Sequence, residues 1–106
     1  MSNGGQPSKP KKIQLYEERG ETSRHIDVEV TEDGNLVMSG QDVGKAPQEW
    51  WGDADYEFWV FVPGEHKDEV LLALIEQVYG NNPSAIEEFR ALLESQGISF
   101  EFGTWV

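Results

Sequence analysis

Three carboxylates, Asp53, Asp55 and Glu57, follow one another at two-residue spacing in the middle of the chain. Oxygen ligands at alternate positions open the calcium-binding loop of an EF-hand, so cation binding is the first chemistry to consider. That loop also needs a glycine at its sixth position and a glutamate at its end, and the sequence has neither at the matching places. An EF-hand is therefore excluded, and we interpret the three carboxylates as part of a solvated acidic surface without a metal site.

A second set of polar groups, His25, Asp27 and Glu29, alternates along a predicted strand and so shares one face of it. Such groups can bind a metal ion, but the same triplet is common on solvated strands. The chain has no nucleophile-elbow, P-loop, dinucleotide-binding or His-Glu-x-x-His motif, and it has no cysteine for thiolate chemistry. We predict a non-enzymatic protein with no cofactor. A small hydrolase that uses surface carboxylates is the alternative, because two acids can form such a site without a local motif.

Residues 50–61 contain six aromatic side chains among twelve positions. Side chains alternate along a strand, so if Phe58 points towards a core, Trp59 and Phe61 lie on the opposite face. We predict that Trp105, from a closing strand, joins them there. The result is a large aromatic area among acids on the side of the sheet away from the helices.

Two interpretations of this aromatic area are open. In one, the loop that contains Trp50 and Trp51 folds across it and forms a second small core. In the other, it stays exposed and binds a protein or a carbohydrate, since exposed aromatic rings with a polar rim mark interaction sites. The candidate binding residues are Trp50, Trp51, Asp53, Asp55, Glu57, Trp59, Phe61 and Trp105.

The hydrophobic pattern predicts an α+β fold: an antiparallel sheet of about five strands with two helices packed on one face, in the order β-β-β-β-α-α-β. The pattern has period two in the strands and an apolar stripe in each helix. Gly97 is the expected stop of the second helix. The predicted strands are residues 13–18, 25–30, 36–38, 56–62 and 98–105, the helices are 65–79 and 82–96, and 39–55 is a long loop.

Residues 1–12 contain Gly, Pro, Ser, Asn and Lys with no apolar residue after Met1, which predicts a disordered tail ahead of a single α+β domain spanning 13–106. They also lack the apolar run of a secretion signal, and no later segment is long enough to span a bilayer. We therefore expect a cytoplasmic protein.

The net charge of the chain is -12, and the part after residue 12 has five basic residues against 20 acidic ones, a formal charge of -15. Such a field repels phosphate backbones and anionic lipid, so nucleic acid and membranes are excluded as direct ligands. It favours a basic protein partner or cations, or it serves solubility alone. The sequence does not fix the oligomeric state.

Two short motifs, DGNL at residues 33–36 and GQDVG at residues 40–44, precede an acidic aromatic strand at 56–60. Together they resemble a group of small, acidic, uncharacterised bacterial proteins with a DGNL…GQD-x-G turn, an acidic strand of YEY type and a closing helical segment. The resemblance covers residues 26–102 and implies a bacterial protein, with no catalytic residue to carry over. The chain departs from the pattern at Val43 and at the tryptophan pair.

Together these observations predict a protein-binding module that uses an acidic, Trp-rich surface, in the sharpest form an immunity-protein-like neutraliser of a basic partner. A different class of function is a small-molecule or carbohydrate binder that stacks its ligand on Trp59 and Trp105. The hydrolase described above is the third.

Overall fold

The structure, a computed structural model, describes residues 11–52 and 55–105 of the 106-residue chain. The backbone divides into two compact units, with the boundary between Glu69 and Val70. The elements are β1 (Lys11–Glu18), β2 (Thr22–Val30), β3 (Leu36–Gly44), α1 (Lys45–Trp51), β4 (Asp55–Val62), a 3-10 turn (Gly64–His66), α2 (Lys67–Tyr79) and α3 (Ala85–Ser95). The prediction of an α+β fold with an antiparallel sheet followed by two main helices is confirmed.

The sheet in the first unit is an antiparallel meander with the strand order β1-β2-β3-β4. β2 and β3 pair along their full lengths, from Thr22 opposite Gly44 to Val30 opposite Leu36. The turn between them closes where the Thr31 N–H donates to the Asn35 carbonyl over 2.8 Å. β1 pairs with β2 through a register shift between Gln14 and Tyr16, a bulge that bends this edge of the sheet.

The long loop predicted for residues 39–55 is wrong. β3 continues to Gly44, and α1 follows it directly. The alternating pattern of β3 was hidden because Gly40 and Asp42 occupy apolar-face positions, where hydrophobic residues are expected. Both positions are explained by their cross-strand neighbours, since the Phe58 ring covers Gly40 and Arg24 pairs with Asp42.

The predicted closing strand is also wrong: residues 98–105, all of them described, contain no strand, so the sheet in the described residues has four strands and not five. The chain reverses at Gly97, which has φ 67°, and the Ile98 N–H donates to the Leu93 carbonyl over 2.9 Å. These are the features of the predicted helix stop. Beyond it, Phe102 lies against the Arg90 guanidinium at 3.9 Å from the ring centroid, so its contact is with α3.

β1 begins at Lys11, two residues before the predicted start of the strand at Ile13, because β2 is long enough to offer pairing partners. Lys11 lies opposite Val30 and Lys12 opposite Glu29. The rest of the predicted tail, residues 1–10, lies outside the described residues. The single domain from 13 to 106 stays a prediction.

The turn between β2 and β3 is bonded to the segment that follows β4. The Asn35 side-chain oxygen accepts a hydrogen bond from the Gly64 N–H, and the Lys67 ammonium donates to the Gly34 carbonyl, each over 2.8 Å. Lys67 is the first residue of α2. The start of α2 is therefore fixed to the sheet by two polar contacts within the first unit.

The second unit contains most of α2 together with α3. Tyr79 and Phe89 meet edge to face with ring centroids 5.9 Å apart, which joins the end of α2 to α3. Across the described ranges of the chain, none of the helices combines the length and the apolar character that crossing a membrane requires.

Candidate functional site

The register of the sheet brings nine residues of β2, β3 and β4 into three parallel rows on one face. We call this the Trp59 face. Neighbouring strands are about 4.8 Å apart, so the side chains within a row are in reach of one another. The rows are Glu29–Val37–Phe61, Asp27–Ser39–Trp59 and His25–Gln41–Glu57.

The aromatic rings of this face are open to solvent. Trp59 is 67% exposed and Phe61 is 53% exposed. Ser39, directly opposite Trp59, is too small to cover an indole ring. Full burial of a large apolar side chain is worth about 1.5–3 kcal/mol, so these two rings are a substantial source of binding energy for anything that covers them.

Carboxylates surround the two rings. Asp27 lies in the row of Trp59 and Glu29 in the row of Phe61, each two strands away on β2, and Glu57 lies on the same side of β4 as Trp59. Asp27 is 3.8 Å from the Lys12 ammonium, which partly balances its charge, and 3.9 Å from the His25 ring. Asp55 accepts a hydrogen bond from the Gln41 side chain over 2.8 Å, which orders the carboxylate at the start of β4.

On β2, β3 and β4 the opposite face is mainly apolar and contains one ion pair. The Arg24 guanidinium donates two hydrogen bonds to the Asp42 carboxylate, over 2.6 and 2.7 Å, and lies 5.5 Å from the centroid of the Phe58 ring. Those hydrogen bonds hold the pKa of Asp42 below its usual value and raise the pKa of Arg24. Tyr56 stacks on Phe58 with centroids 5.4 Å apart.

The residues of the GQDVG motif are explained by structural contacts on this sheet. Gly40 lies under the Phe58 ring, where an added Cβ would be 2.5 Å from a ring carbon. Gln41 orders Asp55, and Asp42 binds Arg24. Gly44 has φ 125° and lies against the Glu21 carbonyl, a conformation and a closeness that only glycine tolerates. The motif therefore stabilises the sheet that presents the Trp59 face.

The structure brings Glu57, Trp59 and Phe61 together with Asp55 on one side of β4, as the sequence predicts for the strand. Trp50 lies in α1 and is 68% exposed, so its side chain is not buried as part of a second small core. Trp51 ends α1, and its side chain lies outside the described part of the chain, as does Asp53. Trp105 is 99% exposed and belongs to the second unit, outside the sheet.

A groove of about 340 Å³ beside the turn between β1 and β2 contains two carboxylates, Glu17 and Glu18. Glu17 accepts a hydrogen bond from Arg19 over 2.8 Å, which lowers its pKa. A general acid of a hydrolase needs the opposite shift. Within the described ranges, no group of three or more His, Asp or Glu side chains is placed to hold a metal ion.

Comparison of the chain with models of known protein families, with curated proteins and with solved structures found no match in any of the three. Function therefore has to be inferred from the geometry of the Trp59 face.

The sequence alone did not reveal the Arg24–Asp42 pair or the packing of Phe58 on Gly40. A usable signal was present, since Arg24 and Asp42 are an opposite-charge pair at matching positions of two strands joined by a recognisable turn. Extending the pairing outwards from the Thr31–Asn35 turn places them opposite each other. Such extension would also have lengthened β3 to Gly44.

Proposed function

We propose that this chain is a non-enzymatic protein-binding module that holds a basic protein partner against the Trp59 face. One observation carries the proposal: two exposed aromatic rings, Trp59 and Phe61, lie in register with Asp27 and Glu29 on one side of the sheet. Binding energy in protein interfaces concentrates in a few aromatic residues surrounded by polar groups. The Trp59 face has this composition.

Charge supports a basic partner in preference to a neutral one. The chain carries a net charge of -12, and the carboxylates of Asp27, Glu29 and Glu57 flank the rings. A field of this sign accelerates the approach of a basic protein and repels an acidic one. Arg or Lys side chains of the partner would pair with the carboxylates, while its apolar or aliphatic groups cover the indole of Trp59.

The sharpest form of the proposal is a cytoplasmic, immunity-protein-like neutraliser that blocks a basic, toxin-like enzyme by covering its positive surface. It also includes the predicted packing of the two helices against the other, apolar face of the sheet, which contains Ile26, Met38 and Phe58. In that arrangement the Trp59 face is the side left for a partner.

Photo-cross-linking from position 59 tests this function in the cells that make the protein. Trp59 is replaced by p-benzoylphenylalanine, and the matched control carries the same residue in place of Leu72, an exposed residue of α2. We expect a light-dependent complex with a basic protein from position 59 and no such complex from position 72. The captured protein is then purified and its direct binding measured.

Three results would overturn the proposal: no complex from position 59, an acidic partner, or the same set of partners from both positions. A carbohydrate ligand would appear differently, as a shift of tryptophan emission on addition of oligosaccharide with no protein cross-linked. The Glu57→Gln variant in β4 then measures how much this negative charge contributes to binding, and Glu76→Gln in α2 is its matched control. We expect only the change at 57 to weaken binding of the purified partner.

A further inference from the structure

The two edges of the sheet differ in how they are protected against pairing with another strand. β1 carries Lys11 and Lys12, a bulge after Gln14, and a charged end at Glu17 and Glu18. Lysines and bulges on an edge strand are the usual devices that prevent association with another strand. These features protect the β1 edge against strand addition.

β4 is the last strand of the sheet in the described part of the chain, and along 55–62 its charged residues are the acids Asp55 and Glu57. It has no lysine, no proline and no register shift, and it pairs regularly with β3 from Val43–Asp55 to Leu36–Val62. Its exposed residues include Val60, 63% exposed, beside Trp59. A regular edge strand with exposed apolar residues is a template for an added strand.

We propose that the β4 edge accepts an extended basic segment of the partner as an added antiparallel strand, an inference that rests on the protein-binding function proposed above. Alternate residues of the added strand would fall on the Trp59 face, where Lys or Arg would lie near Glu57 and Asp55. The residues between them would fall on the apolar face beside Phe58 and Val60 and would be hydrophobic. The preferred ligand is thus a segment in which basic and β-branched residues alternate.

Charge argues against a second copy of this chain as the occupant. Each copy has a net charge of -12, and pairing of two β4 strands would bring the acidic residues Asp55 and Glu57 of both copies to the same interface. Like charges at a strand interface are destabilising. A basic segment gains attraction from the same residues.

The test uses the whole protein and a defined probe, the peptide acetyl-Lys-Val-Lys-Val-Lys-Val-Lys-Val-amide, with binding followed by heteronuclear NMR. Two N-methylated versions serve as matched controls, one methylated on every lysine amide and one on every valine amide. In an added strand only alternate N–H groups point towards β4. Residues whose side chains lie on one face of the sheet have their N–H groups on the same edge of the strand. Strand addition therefore requires one set of amides and tolerates methylation of the other.

We expect the parent peptide to bind, one N-methylated version to bind at least about tenfold more weakly, and the other to keep its affinity within about threefold. We also expect slowed amide exchange at alternate residues of β4. No binding at millimolar concentration overturns the inference. So does a dimer with protected β4 amides in the absence of peptide, because β4 would then be occupied by a second copy.

The Trp59→Ala variant separates this inference from the proposed function. If both N-methylated peptides bind as well as the parent and Trp59→Ala abolishes all three, the partner covers the Trp59 face through side chains alone. Strand addition is then wrong and the proposed function stands. If one N-methylated peptide loses binding but Trp59→Ala has no effect, the edge is used and the aromatic face is not, which contradicts the proposed function.

Discussion

The guanidinium of Arg24 and the carboxylate of Asp42, on neighbouring strands, form two parallel hydrogen bonds of 2.6 and 2.7 Å on the apolar face of the sheet. Asp42 is only 6% exposed, whereas the Arg24 side chain stays partly open to solvent and lies near the Phe58 ring. The pair satisfies a buried charge that would otherwise destabilise the sheet. It fixes β2 against β3 directly behind the Trp59 face.

Replacing Asp42 by Asn should destabilise the protein by about 1–3 kcal/mol at neutral pH, because Arg24 loses a charge-assisted partner. Asp33→Asn, in the exposed turn between β2 and β3, is the control with the same change of charge and shape. Urea unfolding at pH 7 measures both. Equal stability of the two variants would contradict a stabilising role for the pair.

The same pair predicts a pH dependence with a definite sign. Because Arg24 lowers the pKa of Asp42 in the folded state, the stabilisation is complete above the unfolded-state pKa of about 3.9 and is lost as the pH falls through the lower folded-state value. The gap in unfolding free energy between wild type and Asp42→Asn should be constant from neutral pH down to about pH 5 and shrink below about pH 4. A gap that stays constant down to pH 2 would show that the charge of Asp42 is irrelevant.

Gly40→Ala should destabilise the protein by about 1–3 kcal/mol, because the new methyl group would lie 2.5 Å from the Phe58 ring and force it to move. Gly103→Ala is the matched control, since an added Cβ there meets nothing within 4 Å. We expect the control to change stability by less than about 0.5 kcal/mol. Thermal or urea unfolding of the two variants decides the matter, and similar losses in both would rule out close packing of Phe58 on Gly40.

Lys67→Met should lower the free energy of unfolding by about 1 kcal/mol, because it removes the hydrogen bond from the Lys67 ammonium to the Gly34 carbonyl. Lys45→Met makes the same change of charge but removes only two exposed ion pairs of 3.8 and 4.0 Å, which contribute little. Amide exchange at Gly64 should also accelerate in Lys67→Met alone. Equal exchange in the two variants would mean that the turn and the start of α2 are not coupled.

The sequence predicted well those parts of the fold whose hydrophobic pattern depends on residues close together in the chain. The alternation of His25–Val30 and the apolar stripe of α2 depend on near neighbours, and both elements appear within a few residues of their predicted bounds. β3 beyond Met38 was missed because Asp42 and Gly40 depend on residues of other strands. The alternation in residues 98–105 suggested a strand, but the contact of Phe102 with Arg90 is not encoded in that pattern.

For the candidate site, too, the sequence predicted correctly only what depends on the local pattern of one strand. The two-residue period placed Glu57, Trp59 and Phe61 on one side of β4, and the register confirms that His25, Asp27 and Glu29 share this face. The location of Trp105 depended on the closing strand, so it failed with that strand. The short helix α1 was missed because it spans only seven residues, Lys45–Trp51, and its pattern is too short to indicate a helix.

The electric field at Trp59 can be measured without any partner. In a variant that keeps Trp59 and has Phe in place of the other three tryptophans, the ratio of caesium quenching to iodide quenching should exceed that of free N-acetyltryptophanamide at low salt. The ratio should fall towards that of the free compound at about 0.5 M salt because the carboxylates are screened. A ratio equal to that of the free compound at low salt would contradict an acidic environment of Trp59.

The most direct test of the central claim is the dissociation constant of the purified basic partner, recovered by cross-linking from position 59, for wild type, Trp59→Ala and Trp105→Ala. If Trp59 is the centre of the binding surface, its loss should weaken binding by about 30-fold or more, and Trp105→Ala should stay within about threefold of wild type. The wild-type affinity should also fall as salt rises. An unchanged dissociation constant for a folded Trp59→Ala protein would contradict the account.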